Sequence, residues 1–464
     1  MITAMKQNRA TAFGTIPNKL TNPMITNYHA GQNAIYGKSP YQRRNKLFSC
    51  CDKISLPPPP LSDQKSIVIT LTNSSNNSNP IQQLYLVLSG NGRIEIDTQI
   101  VTFTGSFDGI IPCNTSATIY SNNLTAIKCG FVLDATFSID LYNVPLLIVL
   151  TVDGPVNTSG SFPTYNITDI KFHLLAPVLN VIYIRPIIGE AGYYSNNNIL
   201  FQTFDCSLLP VLTELYISSY NSKQLNNIIN MPSTIQILYI SNNMFSSINI
   251  SNLINLHIFD CHDNILTTLD LTNNTQLTGL DCGSNLLNTL DLTNNIQLTT
   301  LVCNDNALTT LNVSNNTLLT ILECNNNPLT TPLDLTNNTL LETLICSNDS
   351  LNTLDLTNNT LLTSLFCNDN LLTTLDLTNN TLLTSLYCDN NSLTTLDLTN
   401  NTQLIDIRCR NNQINQSDAN NIAGELLNNN QFDGILNILT QTSGNLDMTN
   451  NLLALVTQLN WSVD

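Results

Sequence analysis

The 464-residue sequence predicts a mainly β fold: a stacked coil, or solenoid, with strands on both faces, preceded by a small antiparallel β-sandwich and closed by a small α/β cap. Three observations predict it. Cysteines recur at 261, 282, 303, 324, 346, 367, 388 and 409, with spacings of 21 residues and a single 22. A fixed period in this range marks a stacked-repeat architecture. Charged residues are only 11% of the chain, against about 25% in ordinary soluble proteins. Short runs with period-two alternation, bounded by Asn, Ser and Gly, fill the stretch before the repeats.

Residues 1–60 lack periodicity and end in Pro57–Pro60, which reads as an extended spacer. Residues 1–53 hold eight of the sixteen basic residues and one acid, Asp52, so within the net charge of −17 a basic arm of +7 precedes a body of −24. Arg43, Arg44 and Lys46 are its densest cluster. They are the candidate tether for self-assembly or a larger complex, and nucleic acid is a further possible ligand. Gly31–Ser39 approaches a phosphate-binding loop, but five residues rather than four separate its glycines and no strand precedes it. No secretory signal is visible in the first thirty residues, and no apolar run reaches the roughly 18 residues of a membrane helix. A soluble protein is expected.

Residues 61–165 contain the alternating runs Ser66–Thr72, Gln83–Leu88, Arg93–Asp97 and Gln99–Thr104, continued at 116–120, 127–137 and 144–152. This spacing suggests a sandwich. It contains no acid–base cluster that would make a hydrolase.

Residues 166–412 form the expected solenoid. One unit reads Leu371–Asn380 followed by Thr381–Asn391, and it contains one phrase twice. Leu372, Leu375 and Leu377 recur as Leu383, Leu386 and Cys388, and each triplet is followed by an Asn three residues on. Alternate residues of a strand face opposite ways, so each phrase sends two side chains inward. The Asn marks a corner, where its amide can bond backbone groups of the adjacent coil. Twenty-one residues with two strands and two corners leave no room for a three-turn helix. A single coil cannot bury its own apolar residues, so stability sums over neighbours and the ends need caps.

The phrase L-x-x-L-x-L-x-x-N resembles the leucine-rich repeat family, in the short nested form whose two halves both carry the motif. The likeness spans about residues 170–412. Looser copies stand at Leu212–Ile217 and Ile235–Asn243. Two departures are visible: Asp349 replaces a corner Asn, and Pro332 accompanies the 22-residue unit, where a bulge is expected. In residues 413–464, Ser417-Asp418 reads as a helix N-cap with a helix over 420–428, and Phe432–Leu439 as a second helix. The Gly444–Asp447 phrase and Trp461 resemble tails that close repeat arrays in structural proteins of phages and large DNA viruses.

No catalytic residue, cofactor or metal ligand set is expected. The ladder cysteines read as small buried hydrophobes. His262 adjoins Cys261, and one ligand per coil in a single column does not converge on a metal. Asp270, Asp291, Asp334, Asp355, Asp376 and Asp397 share an outward column; the last four are the candidate weak cation column, with satisfaction by neighbouring Thr hydroxyls as the alternative. Sequons such as Asn273–Thr275 follow automatically from the Asn-Asn-Thr corner. The residue before each cysteine, by contrast, varies: Asp260, Asp281, Val302, Glu323, Ile345, Phe366, Tyr387, Arg408. A variable column in a uniform array is free of packing constraint, and Ile345, Phe366, Tyr387 and Arg408 are its candidate partner-binding residues. These features point to a non-enzymatic structural or scaffold protein whose solenoid contacts other proteins, with a virion component as the sharper form. The alternative is a bacterial surface or secreted adhesin that grips a host protein.

Overall fold

Within each strict repeat the phrase that ends in cysteine becomes a three-residue strand, from Ile258–Asp260 through Gly279–Asp281, Thr300–Val302, Ile321–Glu323, Thr343–Ile345, Ser364–Phe366 and Ser385–Tyr387 to Asp406–Arg408. Each pairs in parallel with the next, position for position: Leu280 lies opposite Leu301, then Leu322, Leu344, Leu365, Leu386 and Ile407. The central residue of every strand points inward and is fully buried, as is the following cysteine. The computed structural model describes strands and short segments between residues 67 and 199, nearly all of 201–429, and parts of 434–463. Residues 1–66 lie outside the described residues, and with them the basic arm, Arg43, Arg44, Lys46, the prolines and the glycine-bearing segment 31–39.

The opposite face departs from expectation. In the strict repeats the Leu-x-Leu phrase is extended and inward-facing, with Leu375 and Leu377 buried, but it forms no strand. Each phrase runs straight into a turn. The outward Asp accepts the backbone N–H of the Thr two residues on, as Asp376 Oδ1 does from Thr378 at 3.0 Å, and Asn380 N–H then turns back to Leu377 C=O at 3.0 Å. The same turn follows Asp205, which accepts Ser207 N–H at 2.8 Å. Only the earlier, looser coils pair on that side, through Thr203–Asp205 and Asn227–Ile229.

What holds coil to coil there is the corner asparagine. Asn380 donates to Leu356 C=O at 3.1 Å and to Asn359 C=O at 2.9 Å, and the same pair of bonds recurs at Asn274, Asn295, Asn316, Asn338, Asn359 and Asn401. The second corner is bonded more fully. Asn391 donates to Cys367 C=O and Cys388 C=O at 3.0 and 3.1 Å, and its Oδ1 accepts Leu372 N–H at 3.0 Å. In the first ladder that oxygen has no partner. The residue before each second-corner Asn is left-handed, with φ of 52–61° at Asn242, Asp263, Ser284, Asp305, Asn326, Asn348, Asp369, Asn390 and Asn411. Asn and Asp tolerate this conformation because their short polar side chains bond locally.

Ahead of the repeats, Val149–Val152 pairs in parallel with Val181–Ile184, which pairs with Glu214–Ile217, so the solenoid sheet continues into this region. It is extended through Ala126–Phe131, Gln82–Ser89 and Ser106–Cys113. A separate 7-stranded sheet includes Ile67–Leu71, Ala135–Leu141 and Thr164–Phe172, the last crossing position 165. Leu86, Leu141, Leu150 and Leu215 belong to one continuous core. The solenoid sheet is open, since no pairing joins Ser106–Cys113 to Ser462–Val463 among the described residues.

At the other end, a helix spans Gln416–Asn429 and buries Ala419, Ile422, Ala423 and Leu426. Its cap is Asn415, not Ser417 or Asp418: Asn415 Oδ1 accepts both their N–H groups, at 2.9 and 3.1 Å. The second helix expected over Phe432–Leu439 is instead a strand, Ile435–Asn437, paired with Asp406–Arg408. The last coil leaves an open sheet edge, and satisfying its backbone outweighs helical propensity. Gln441 then repeats the corner bonding, donating to Cys409 C=O at 3.1 Å and accepting Asn412 N–H at 3.0 Å. Trp461 seals the end over Gly434, where a Cβ would stand 2.3 Å from the indole.

The extra residue of the 22-residue unit falls between Leu329 and Leu333, both buried, so the bulge lies at Thr330–Pro332 on the exposed side. One coil on, Asp349 is fully buried in place of an Asn. Its Oδ1 accepts Asn327 N–H at 2.8 Å, but it has no amide to offer the carbonyls that Asn370 and Asn391 serve. Burial pushes its pKa from 3.8 to about 7 against the pull of the hydrogen bonds from Asn327 N–H and Cys324.

Two stability predictions follow from the corners. Asn391→Ala should destabilise the fold by about 1–2 kcal/mol more than Asn380→Ala, because two further hydrogen bonds are lost, one of them a weak donation to Asp389 C=O; denaturant unfolding of the two variants measures this, and equal losses would contradict it. Asp349 is ionised in the unfolded chain above about pH 4 but resists ionisation in the fold until about pH 7. Its burden therefore grows across that window and reaches the order of 3–4 kcal/mol above it. Asp349→Asn should raise the thermal midpoint strongly at pH 8 and less at pH 5. A gain independent of pH would show that the carboxyl is not the cause.

Candidate functional site

The sheet face is where the chain departs from uniformity. Each strand presents its third residue outward, and register aligns these into one column: Tyr183, Tyr216, Tyr239, Asp260, Asp281, Val302, Glu323, Ile345, Phe366, Tyr387, Arg408. The structure brings the four sequence-predicted residues together. Phe366 meets Tyr387 edge to face with ring centres 4.6 Å apart, and the Arg408 guanidinium lies 4.0 Å from the centre of the Tyr387 ring. Tyr387 O–H donates to Asp406 at 2.6 Å, and Asp406 also pairs with Arg408 at 3.5 Å. Asp406 thus fixes both ends of the aromatic–cation pair. All four column residues are half-buried, so they expose edges and not whole side chains.

A second exposed apolar feature was not anticipated from the sequence. Leu318, Leu340, Leu361 and Leu382 lie just before the strands of the coils carrying Glu323, Ile345, Phe366 and Tyr387, and they are 38–44% exposed. In the phrase Asn-Asn-Thr-Leu-Leu only the second leucine turns inward. The signal was present, since neighbouring units carry Gln276, Gln297 and Gln403 at the same position. On consecutive coils an exposed leucine therefore precedes each of these column residues in the chain.

The earlier half of the face has a different character. Tyr183, Tyr216 and Tyr239 stack with ring centres 4.5 and 4.7 Å apart, and Glu214 accepts from the hydroxyls of Tyr183 and Tyr216. Beyond them His262 lies between carboxylates, its Nδ1 2.6 Å from Asp260 and 3.5 Å from Asp281, its Nε2 3.9 Å from Asp263. Burial opposes charge on this imidazole, but the Asp260 and Asp281 carboxylates prevail and raise its pKa to about 10. His262 therefore does converge with acids, because adjacent columns meet where a single column cannot.

The outward Asp column does other work. Asp334, Asp355, Asp376 and Asp397 each accept the N–H of the Thr two residues on at 3.0 Å. Hydrogen bonds from that threonine's hydroxyl and backbone hold these carboxyls below the usual range. The threonine alternative accounts for the column: each Asp closes its own turn. The cysteines Cys261–Cys409 are buried free thiols, and burial pushes each of them upward in pKa. The described residues include no helix long and apolar enough to cross a membrane.

An internalin of Listeria monocytogenes, InlF, superposes with a TM-score of 0.51 at 22% identity, covering 62% of this chain and 81% of that one. The repeat is of the leucine-rich type. The functional domain of InlJ from the same organism, which includes a cysteine ladder, is 31% identical over 63% of this chain, with a TM-score of 0.49; the match spans 64% of that domain's length, a little under two thirds. A leucine-rich-repeat protein of Leptospira interrogans gives 17% identity and a TM-score of 0.45, covering 62% of this chain and 88% of its own. No protein-family model matches the chain, and no curated protein matches it either.

If Asp406 positions the aromatic–cation pair, Asp406→Asn should loosen it without unfolding the coil. Near-ultraviolet circular dichroism of the tyrosines should change while the thermal midpoint moves by less than about 3 °C; an unaltered tyrosine signal would remove that role.

Proposed function

We propose that the protein is a non-enzymatic binding module whose leucine-rich-repeat sheet face docks a protein partner over the coils of residues 317–410. The observation that carries this reading is the half-exposed column Ile345–Phe366–Tyr387–Arg408, backed by Asp406, with an exposed leucine ahead of Ile345, Phe366 and Tyr387 in the chain. Aromatic and arginine side chains held rigid before contact lose little conformational freedom on binding, and contiguous apolar surface releases water there. Phe366, Tyr387 and Arg408 are the anchors; the leucines supply further apolar area. The finer readings both use this face. A self-assembling structural protein, of which a virion component is one form, adds the basic arm as a tether; an adhesin would present the face at a cell surface. The likeness of the closing segment to viral tails has no counterpart among the structural matches above.

The test is a comparison of recovered partners. Wild type, Phe366→Ser/Tyr387→Ser and Asp355→Asn, a control on the far side of the coil, are immobilised and exposed to extracts of the source cells, and affinity for any recovered protein is measured. The aromatic double variant should bind at least about tenfold more weakly with a near-native thermal midpoint, while the control binds normally. Equal affinity of all three would place the interface elsewhere.

A further inference from the structure

We propose that Asp260, His262 and Asp281 form a binding site for one divalent transition-metal ion where two adjacent coils meet. Asp260 and Asp281 are register partners on neighbouring strands, and His262 follows Asp260 by two residues on the same side. One donor atom from each lies within 4.8 Å of the others. His262 Nδ1 and Asp281 Oδ2 are 3.5 Å apart. That is close to the roughly 3.4 Å separating two ligands held about 2.1 Å from a tetrahedral ion. The 2.6 Å contact between Nδ1 and Asp260 Oδ1 holds a proton; an ion taking its place would open that distance to a similar value.

One further observation points to a ligand. Asp260 is only 7% exposed, and its Oδ1 accepts from the backbone and ring of His262. Its Oδ2 has no hydrogen bond among the described residues and is reached by solvent, which leaves it available to an ion. Gly283 stands beside His262 on the next coil, and a Cβ there would come within 3.3 Å of Asp281 Oδ1 and 2.5 Å of Asn304 Oδ1. The nearer obstacle is Asn304, so the glycine makes room for that side chain beside the cluster, and its N–H donates to Asp281 Oδ1 at 3.0 Å. Asp263 adds a third carboxylate 3.9 Å from Nε2.

The donor set selects the ion class. One imidazole and two carboxylates suit Zn²⁺, Co²⁺ or Mn²⁺ with water completing the shell, whereas Ca²⁺ seeks six to eight oxygens. The side chains of His262 and Asp281 are 25% and 22% exposed, which leaves room for that water. On binding, the proton shared by His262 and Asp260 passes to solvent as the metal–nitrogen bond forms. The ion would tie consecutive coils together.

Zn²⁺ titration of the chelator-treated full chain, followed by calorimetry in two buffers of different ionisation enthalpy, tests this. The expected result is one ion per chain with about one proton released, and a thermal midpoint raised by about 3 °C or more. Asp281→Asn and His262→Ala, each verified as folded by circular dichroism, should bind at least about tenfold more weakly; Asp355→Asn in the outward column should bind as wild type. Absence of uptake by wild type at about 1 mM Zn²⁺, or uptake unchanged in both site variants, would overturn the assignment.

Discussion

Every coil of this solenoid turns two corners, and at each corner backbone carbonyls are left pointing into a dry interior. The side-chain amide of a buried asparagine satisfies them: Asn391 reaches its own coil and the one before it, and Asn380 reaches two carbonyls of the coil before it. The rest of the structure depends on that bond. A buried carbonyl without a donor costs on the order of 1–3 kcal/mol, and the array repeats the problem twice per coil. Leucine burial drives the coils together, but burial has no direction. The asparagine ladders fix which coil stacks on which and in what register, and so convert apolar attraction into a one-dimensional crystal.

The same constraint explains how the two faces differ. On the sheet face, parallel strands satisfy the backbone without side chains, so the outward positions are released from structural duty. On the far face, no sheet forms in the strict repeats, and Asp and Thr must close the turns themselves. Uniformity and variability thus have one origin. The Asp column is uniform because each residue caps its own turn; the column Tyr183 through Arg408 varies because strand pairing has made its side chains optional. Side-chain variety collects on the face where the backbone needs no help.

The array also shows how local errors are absorbed. Nearest-neighbour coupling confines a defect to the coils that touch it. The additional residue near Pro332 is extruded between two buried leucines, and the strand on the other face keeps its register. Asp349 keeps an acceptor bond but loses the donor, and the neighbouring Asn370 still serves Cys346 C=O. At the end, Gln441 and a strand over 435–437 continue the ladder and the sheet, while the helix turns Ala419, Ile422, Ala423 and Leu426 into the core.

Period, phrase and cysteine spacing by themselves determined the solenoid, its inward residues, the corner role of Asn380 and Asn391, and the adjacency of Ile345, Phe366, Tyr387 and Arg408. All of these are translations of one residue's position by a fixed repeat, so sequence distance becomes spatial distance. The tertiary structure alone decided the rest. Leu375–Leu377 forms no strand although the equivalent Thr203–Asp205, with the same Asp turn, does. Phe432–Leu439 became partly a strand because the last coil offered an unpaired edge. Asp406 met Tyr387, and His262 met Asp260 and Asp281, through lateral contacts between different columns, and the fold left Leu318, Leu340, Leu361 and Leu382 exposed. The period specifies neighbours along a column; which columns touch across the face depends on how tightly each corner turns.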